Sequence, residues 1–177
     1  EWLRRQDISK AESFWRNALQ GFTKPTPLPG AIASVGSTEK YEDRHITISA
    51  AVTSALQALT RGHQITLNTI VQGCWALLLA QHNEENDVVF GVTVSGRPAD
   101  LPGIGSMLGL FINILPMRIC VSPEESFISW LKQIQEQQLD WREYEYSSLI
   151  DVNEWSEVPA TSRLFESLLV FQDYPLN

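Results

Sequence analysis

His45, His63 and His82 are the side chains of this chain best suited to acid–base or metal chemistry near neutral pH. They fall on a predicted strand, a turn and a helix end, and none has a second His or a Cys at metal-ligand spacing. No metal site is expected. Ser95, His82 and Asp87 supply the residue types of a nucleophilic triad, but no G-x-S-x-G turn surrounds Ser95 to expose it. Gly103-Ile104-Gly105 begins a phosphate-cradle pattern, yet Gly109 comes one position late for G-x-G-x-x-G and opens a strand rather than a helix. Glu84, Glu85 and Asp87 read as a solvated acidic turn. On residue chemistry alone, the chain holds no complete catalytic apparatus.

Two polar residues stand in less expected places. Arg97 is a lone cation in a Gly/Pro loop, either snorkelling from the loop base or serving a ligand. Asn113 lies within an apolar run, so if buried it must bridge neighbouring strands or line a wet channel.

Both belong to the stretch 87–121, DVVFGVTVSGRPADLPGIGSMLGLFINILPMRICV. Its apolar runs, Val88 to Val94 and Leu110 to Val121, show little alternation and read as strands buried on both faces. The loop between them carries Gly96, Gly103, Gly105 and Gly109 with Pro98 and Pro102, so backbone chemistry sets its path more than packing does. Loops this long in a compact domain are functional or disordered. Any site is therefore expected to include this loop and its two strands.

The remaining elements must position it. Ser9 and Glu12 form an S-x-x-E capping box for a helix carrying Phe14, Trp15 and Ala18, stopped by Gly21. Residues 22–37 are rich in Pro and Gly and read as an extended surface connection. Tyr41 to Ser49 alternates as a strand, and Ala50 to Arg61 shifts to helical spacing, closed by Gly62. Thr66 caps a central helix whose wide apolar face holds Leu67, Ile70, Val71, Cys74, Trp75, Leu78 and Leu79. Ser122-Pro123 starts another amphipathic helix of about twenty residues. A short segment, Leu149 to Trp155, and a last strand, Phe165 to Phe171, follow; Pro175 ends the pairing. Trp15, Trp75, Trp130 and Trp141 sit at helical apolar positions and are expected in the core. The order predicts an α/β fold with a mixed β-sheet flanked by helices.

Composition bounds the function. Hydrophobic residues make up 44% of 177, enough for the core of one lobe. A net charge of −8 argues against a nucleic-acid binder. Cys74 and Cys120 are expected as two buried thiols rather than a disulfide. Nothing resembles a signal peptide or a membrane span, so a cytoplasmic location and no membrane partner are expected. The chain opens at Glu1 inside a charged helical pattern, which reads as a piece of something longer.

VVFGVTVSGRP followed by GLFINILPMRI resembles the condensation domains of non-ribosomal peptide synthetases. Leu108 to Arg118 matches that family's [IV]-G-x-F-[VI]-N-T-x-x-x-R pattern, with Leu108 for Ile or Val and Ile114 for Thr. EWLRRQ and AESFWRNALQGFTKPTPLPG look like the start of the family's second lobe. REYEYSSL and LFESLLVFQDYP correspond to later motifs in a variant spelling.

The resemblance implies a chloramphenicol-acetyltransferase-like lobe. The family pairs two such lobes in a V around a tunnel, where an acceptor amine attacks a donor thioester. Both reactants hang on phosphopantetheine arms of carrier proteins, so the arm is a substrate tether and no cofactor is bound directly. The family's HHxxxDG signature belongs to the first lobe and is absent here. Residues 1–177 are thus expected to be the C-terminal lobe, short at both ends, with no catalytic residue of its own and no activity alone. The implied tunnel residues are Ser95, Gly96 and Arg97 in the floor loop, Gly109 and Asn113 in the wall, and Gln172 and Asp173 at a strand end. Many members carry Asn at that end, where this chain has the acid Asp173. Implied partners are the N-terminal lobe, donor and acceptor carrier proteins and a neighbouring adenylation domain. The alternatives are a non-catalytic docking module, or a lobe of an ester-forming, cyclising or epimerising relative.

Overall fold

The computed structural model describes residues 1–28, 41–98 and 100–172. In chain order the elements are α1 (Ile8–Ala18), α2 (Ala50–His63), α3 (Leu67–Asn83), β1 (Asp87–Val94), β2 (Asn113–Cys120), α4 (Phe127–Trp141), α5 (Leu149–Trp155) and β3 (Leu168–Leu169). The sheet order is β2-β1-β3. β1 pairs antiparallel with β2, from Asp87↔Cys120 to Val94↔Asn113, and parallel with β3 through Gly91↔Leu168 and Val92↔Leu169. The sheet is mixed and flanked by helices, as the element order predicts.

β1 is central because it is apolar on both faces. Val88, Val89, Phe90 and Val92 are buried, as are Leu115, Met117 and Ile119 of β2. Trp15 of α1 and Leu19 at its C-cap, Ile70 and Leu79 of α3, and Trp130, Leu131 and Ile134 of α4 complete this core. Of the four tryptophans expected in the core, Trp15, Trp130 and Trp141 are buried; Trp75 is only partly so and donates from Nε1 to Ser167 Oγ at 3.2 Å.

Several elements differ from the sequence expectation, each for an identifiable reason. Asp7, not Ser9, caps α1: its Oδ1 accepts from the Ser9 and Lys10 amides at 3.1 and 3.2 Å. Glu12 pairs with Arg16 at 2.8 Å instead of closing a capping box. α2 runs through Gly62 and ends where Gln64 takes the left-handed conformation (φ 58°), because the next residue, Ile65, is drawn into the core. Residues 22–28 are not merely a surface connection. Phe22 and Thr26 are buried, and Thr26 Oγ1 accepts from the Val89 amide at 2.8 Å. The rest of that predicted connection, from Pro29, lies outside the described residues.

Tyr41–Ser49 is not a strand: it has no described strand beside it, and Tyr41, Ile46 and Ile48 face solvent. β2 begins at Asn113, so Leu110, Phe111 and Ile112 belong to the loop. α4 begins at Phe127 behind the N-cap Ser126, leaving Ser122-Pro123 in the preceding turn and shortening the helix to 15 residues. β3 is confined to two residues of the predicted final strand.

α3 turns a different face inward. Thr69, Gly73, Ala76 and Ala80 form a small-residue stripe against the core, while Val71, Leu77 and Leu78 are exposed. A Cβ on Gly73 would sit 2.5 Å from Leu131 Cδ2 and 3.1 Å from the Trp130 ring. Close approach of α3 to α4 selects small residues over large apolar ones. Cys74 and Cys120 are free, but both are exposed rather than buried.

Candidate functional site

The pair Val94↔Asn113 brings the two ends of the 95–112 loop together at one end of the sheet. Gly96 enters the loop with φ +58°, and a Cβ there would lie 1.7 Å from the Phe111 carbonyl oxygen. Only glycine fits. Arg97 then folds back under the loop. Its Nη1 donates to the carbonyl of Ile104, its Nη2 donates to that of Met107 at 3.1 Å, and its Cζ lies 4.3 Å from the Phe111 ring centroid. The Arg97 amide donates to Ser95 Oγ at 3.4 Å. Gly109 also packs on Phe111, where a Cβ would stand 3.2 Å from the ring. Phe111 is thus the hub of the loop, contacted by Gly96, Arg97 and Gly109. In sequence it reads only as one apolar residue among several.

Asn113 anchors the other end. Its Nδ2 donates to the backbone carbonyls of Glu145 and Ser147, both at 2.8 Å, and its Oδ1 accepts from the Ile114 amide at 2.8 Å. It bridges β2 to the turn after α4, not to a neighbouring strand. Ser147 is buried and its Oγ accepts from Trp15 Nε1 at 2.9 Å, so the contact continues into the core. Beside it, burial pushes the Glu145 carboxyl above the ordinary range, opposed by the Arg142 charge and the Gly96 N–H.

Ser95, Gly96, Arg97, Gly109 and Asn113 therefore form one constellation. Gln172 is exposed and follows β3, whose parallel register with β1 runs toward the same end of the sheet as Ser95. Asp173 lies outside the described residues. The loop's outer surface is apolar: Met107, Leu108, Leu110 and Ile112 face solvent, with Leu108 and Leu110 almost fully exposed.

Asp87 is not part of a solvated turn. Arg118 grips it bidentately, Nε to Oδ1 at 2.9 Å and Nη2 to Oδ2 at 2.8 Å. Arg118 Nη1 donates to the carbonyls of Ala18 and Gln20 at 3.1 and 2.7 Å, closing the C-terminal end of α1. The hydrogen bond to Asp87 holds the Arg118 pKa above its ordinary value. Cys120 shares that corner, its Sγ 3.6 Å from Asp87 Oδ1, and the partial desolvation of an otherwise exposed residue, with the Asp87 charge, pushes its thiol up.

Ser95 and Asp87 do not meet. Asp87 and Ser95 flank β1, about 25 Å apart at strand rise, and Arg118 occupies the Asp87 carboxylate. Among the described residues, no group of three His, Cys, Asp or Glu side chains is arranged to hold a metal ion. Nor is any described helix long and apolar enough to cross a membrane. An open concavity of about 430 Å³ lies over Ser9, Lys10, Ser13, Phe14, Asn17 and Tyr144, away from the loop residues.

Among the described residues, the most elaborate feature of this mixed α/β fold is an internally braced, apolar-tipped loop at one end of the sheet. The chain belongs to the condensation-domain family, whose model matches residues 1–177. It is 51% identical, over 99% of its length, to a linear gramicidin synthase polypeptide of Brevibacillus parabrevis, and spans 4% of that protein. Two solved structures share the fold. One is the X-domain from teicoplanin biosynthesis (TM-score 0.72, 24% identity, 93% of this chain and 38% of that one). The other is the first condensation domain of the CDA synthetase (TM-score 0.71, 19% identity, 92% and 34%).

Proposed function

We propose that residues 1–177 form the C-terminal lobe of a condensation domain in a non-ribosomal peptide synthetase and shape the tunnel in which a peptide bond is made. In that reaction the acceptor amine nitrogen bonds to the donor carbonyl carbon, the amine loses a proton, and the donor arm leaves as a thiol. Two tethered reactants gain chiefly from proximity and orientation. This lobe contributes floor and wall through Ser95, Gly96, Arg97, Gly109 and Asn113, with Gln172 just beyond β3. The partner N-terminal lobe contributes the histidine. Donor and acceptor carrier proteins deliver the phosphopantetheine-tethered groups, and an adenylation domain loads them. A cytoplasmic location follows from that assembly.

The observation that carries this reading is the 95–112 loop. Its motif residues brace it from inside while its apolar tip points outward, as a surface covered by another lobe would. The test uses two carrier proteins loaded with aminoacyl groups. Residues 1–177 alone are expected to give no dipeptidyl product, and the intact domain to give it. Parent-like turnover by the lobe alone would sink the proposal.

A further inference from the structure

We propose that Arg97 is a positioning residue, acting on the reaction by stapling the loop from within rather than by offering its charge to a substrate or carrier. The inference rests on the tunnel reading above and deepens it.

Three observations converge on the guanidinium. Separate nitrogens reach the carbonyls of Ile104 and Met107, and the plane lies over Phe111 at 4.3 Å. One donor on each terminal nitrogen is thus turned toward the loop's own backbone. The preceding residue fixes where this fork starts, since Gly96 is pressed against the Phe111 carbonyl. Backbone bonds within the loop, among the described residues, are short-range turns: Leu101 to Pro98, Ile104 to Leu101, Ser106 to Gly103 and Met107 to Ile104. Those turns curl the segment locally without tying it to the sheet. The Arg97 bonds reach seven and ten residues along the chain and join the loop's entry to its return.

Lysine would keep the charge but not the staple. An ammonium has no planar fork to hold two carbonyls while stacking on a ring. Arg97→Lys therefore separates a charge role from a bracing role, and Phe111→Leu weakens the same brace without touching Arg97.

The experiment uses the intact condensation domain with loaded donor and acceptor carriers, following hydrogen exchange of backbone amides together with kcat and KM. Arg97→Lys and Arg97→Ala are both expected to speed exchange about tenfold across 101–112, with β1 and β2 unchanged, the size of losing charge-assisted bonds. Both are expected to lower kcat about tenfold with KM within about twofold. Phe111→Leu should show the same pattern at smaller amplitude. Wild-type turnover and exchange in Arg97→Lys would overturn the proposal in favour of a charge role. So would lost turnover with unchanged exchange, which marks a direct substrate contact. Faster loop exchange with undiminished turnover would leave the brace in place and overturn the tunnel reading beneath it.

Discussion

Gly96 and the carbonyl of Phe111 stand so close that a Cβ on Gly96 would lie 1.7 Å from the oxygen, with Gly96 at φ +58°. The neighbour is backbone, so no side chain can swing aside to make room. Gly96→Ala is expected to displace the Phe111 segment and release the Arg97 brace, at a cost of about 1–3 kcal/mol in strain and lost contacts. Chemical denaturation should show a lowered midpoint, and hydrogen exchange should place the loss in 95–112. An alanine variant with wild-type exchange in the loop would refute the close approach.

Asn113 satisfies two carbonyls that no other described side chain serves, those of Glu145 and Ser147. Asn113→Ala leaves both acceptors short of a donor and is expected to destabilise by about 1–3 kcal/mol. Asn113→Asp should be worse near neutral pH, because it sets a carboxylate against two carbonyl oxygens. Urea titrations of the three proteins check the order wild type, alanine, aspartate. If aspartate equals wild type, the side chain does not point at the turn.

The sequence makes the β1–loop–β2 unit legible because uninterrupted apolar runs and a glycine-rich interval are local signals. The mixed sheet follows from element order. What escapes a sequence reading is set by tertiary contact. The small stripe of α3 is chosen by the ridge of Trp130 and Leu131, which lies far along the chain from Gly73. Tyr41–Ser49 alternates like a strand, but alternation cannot supply a neighbour. Ser95, Gly96, Arg97, Gly109 and Asn113 are identifiable through their motif. Their mutual geometry is not, because Phe111 becomes a hub only once the loop folds back over Arg97.

Glu145 gives a pH signature whose sign is fixed. Burial raises its folded pKa above the ordinary value of 4.5, so the folded state holds the proton more tightly than the unfolded chain. Well below 4.5 both states are protonated and nothing is lost. As pH rises through that value the unfolded chain ionises first, and stability falls until the folded carboxyl has also ionised. Glu145→Gln keeps an acceptor oxygen facing Gly96 and carries no charge. Its stability relative to wild type should therefore grow between acidic and neutral pH and shrink again on acidification. Denaturation midpoints of both proteins at several pH values check this. A wild type that gains on the variant as pH rises would contradict the burial.

Arg118 and Asp87 form the pair whose disruption should separate folding from the geometry of the 95–112 loop. The register sets Asp87 opposite Cys120, so Arg118 approaches it diagonally from two positions along β2. The guanidinium is mostly buried, while Asp87 is about one-third open to water (19% and 36% side-chain exposure), so solvent screens part of the attraction. The partial burial makes the two single substitutions unequal. Asp87→Asn removes a charge that water can partly replace and leaves Arg118 bonded to Ala18 and Gln20. Arg118→Met strips the Ala18 and Gln20 carbonyls and the carboxylate of their donors at once. The arginine variant is expected to lose about 2–4 kcal/mol and the aspartate variant roughly half of that. Since neither residue touches the 95–112 loop, hydrogen exchange there should stay at the wild-type level under folding conditions, while the end of α1 opens. Equal losses from the two substitutions would mean that the ion pair, not the capping of α1, is what Arg118 contributes.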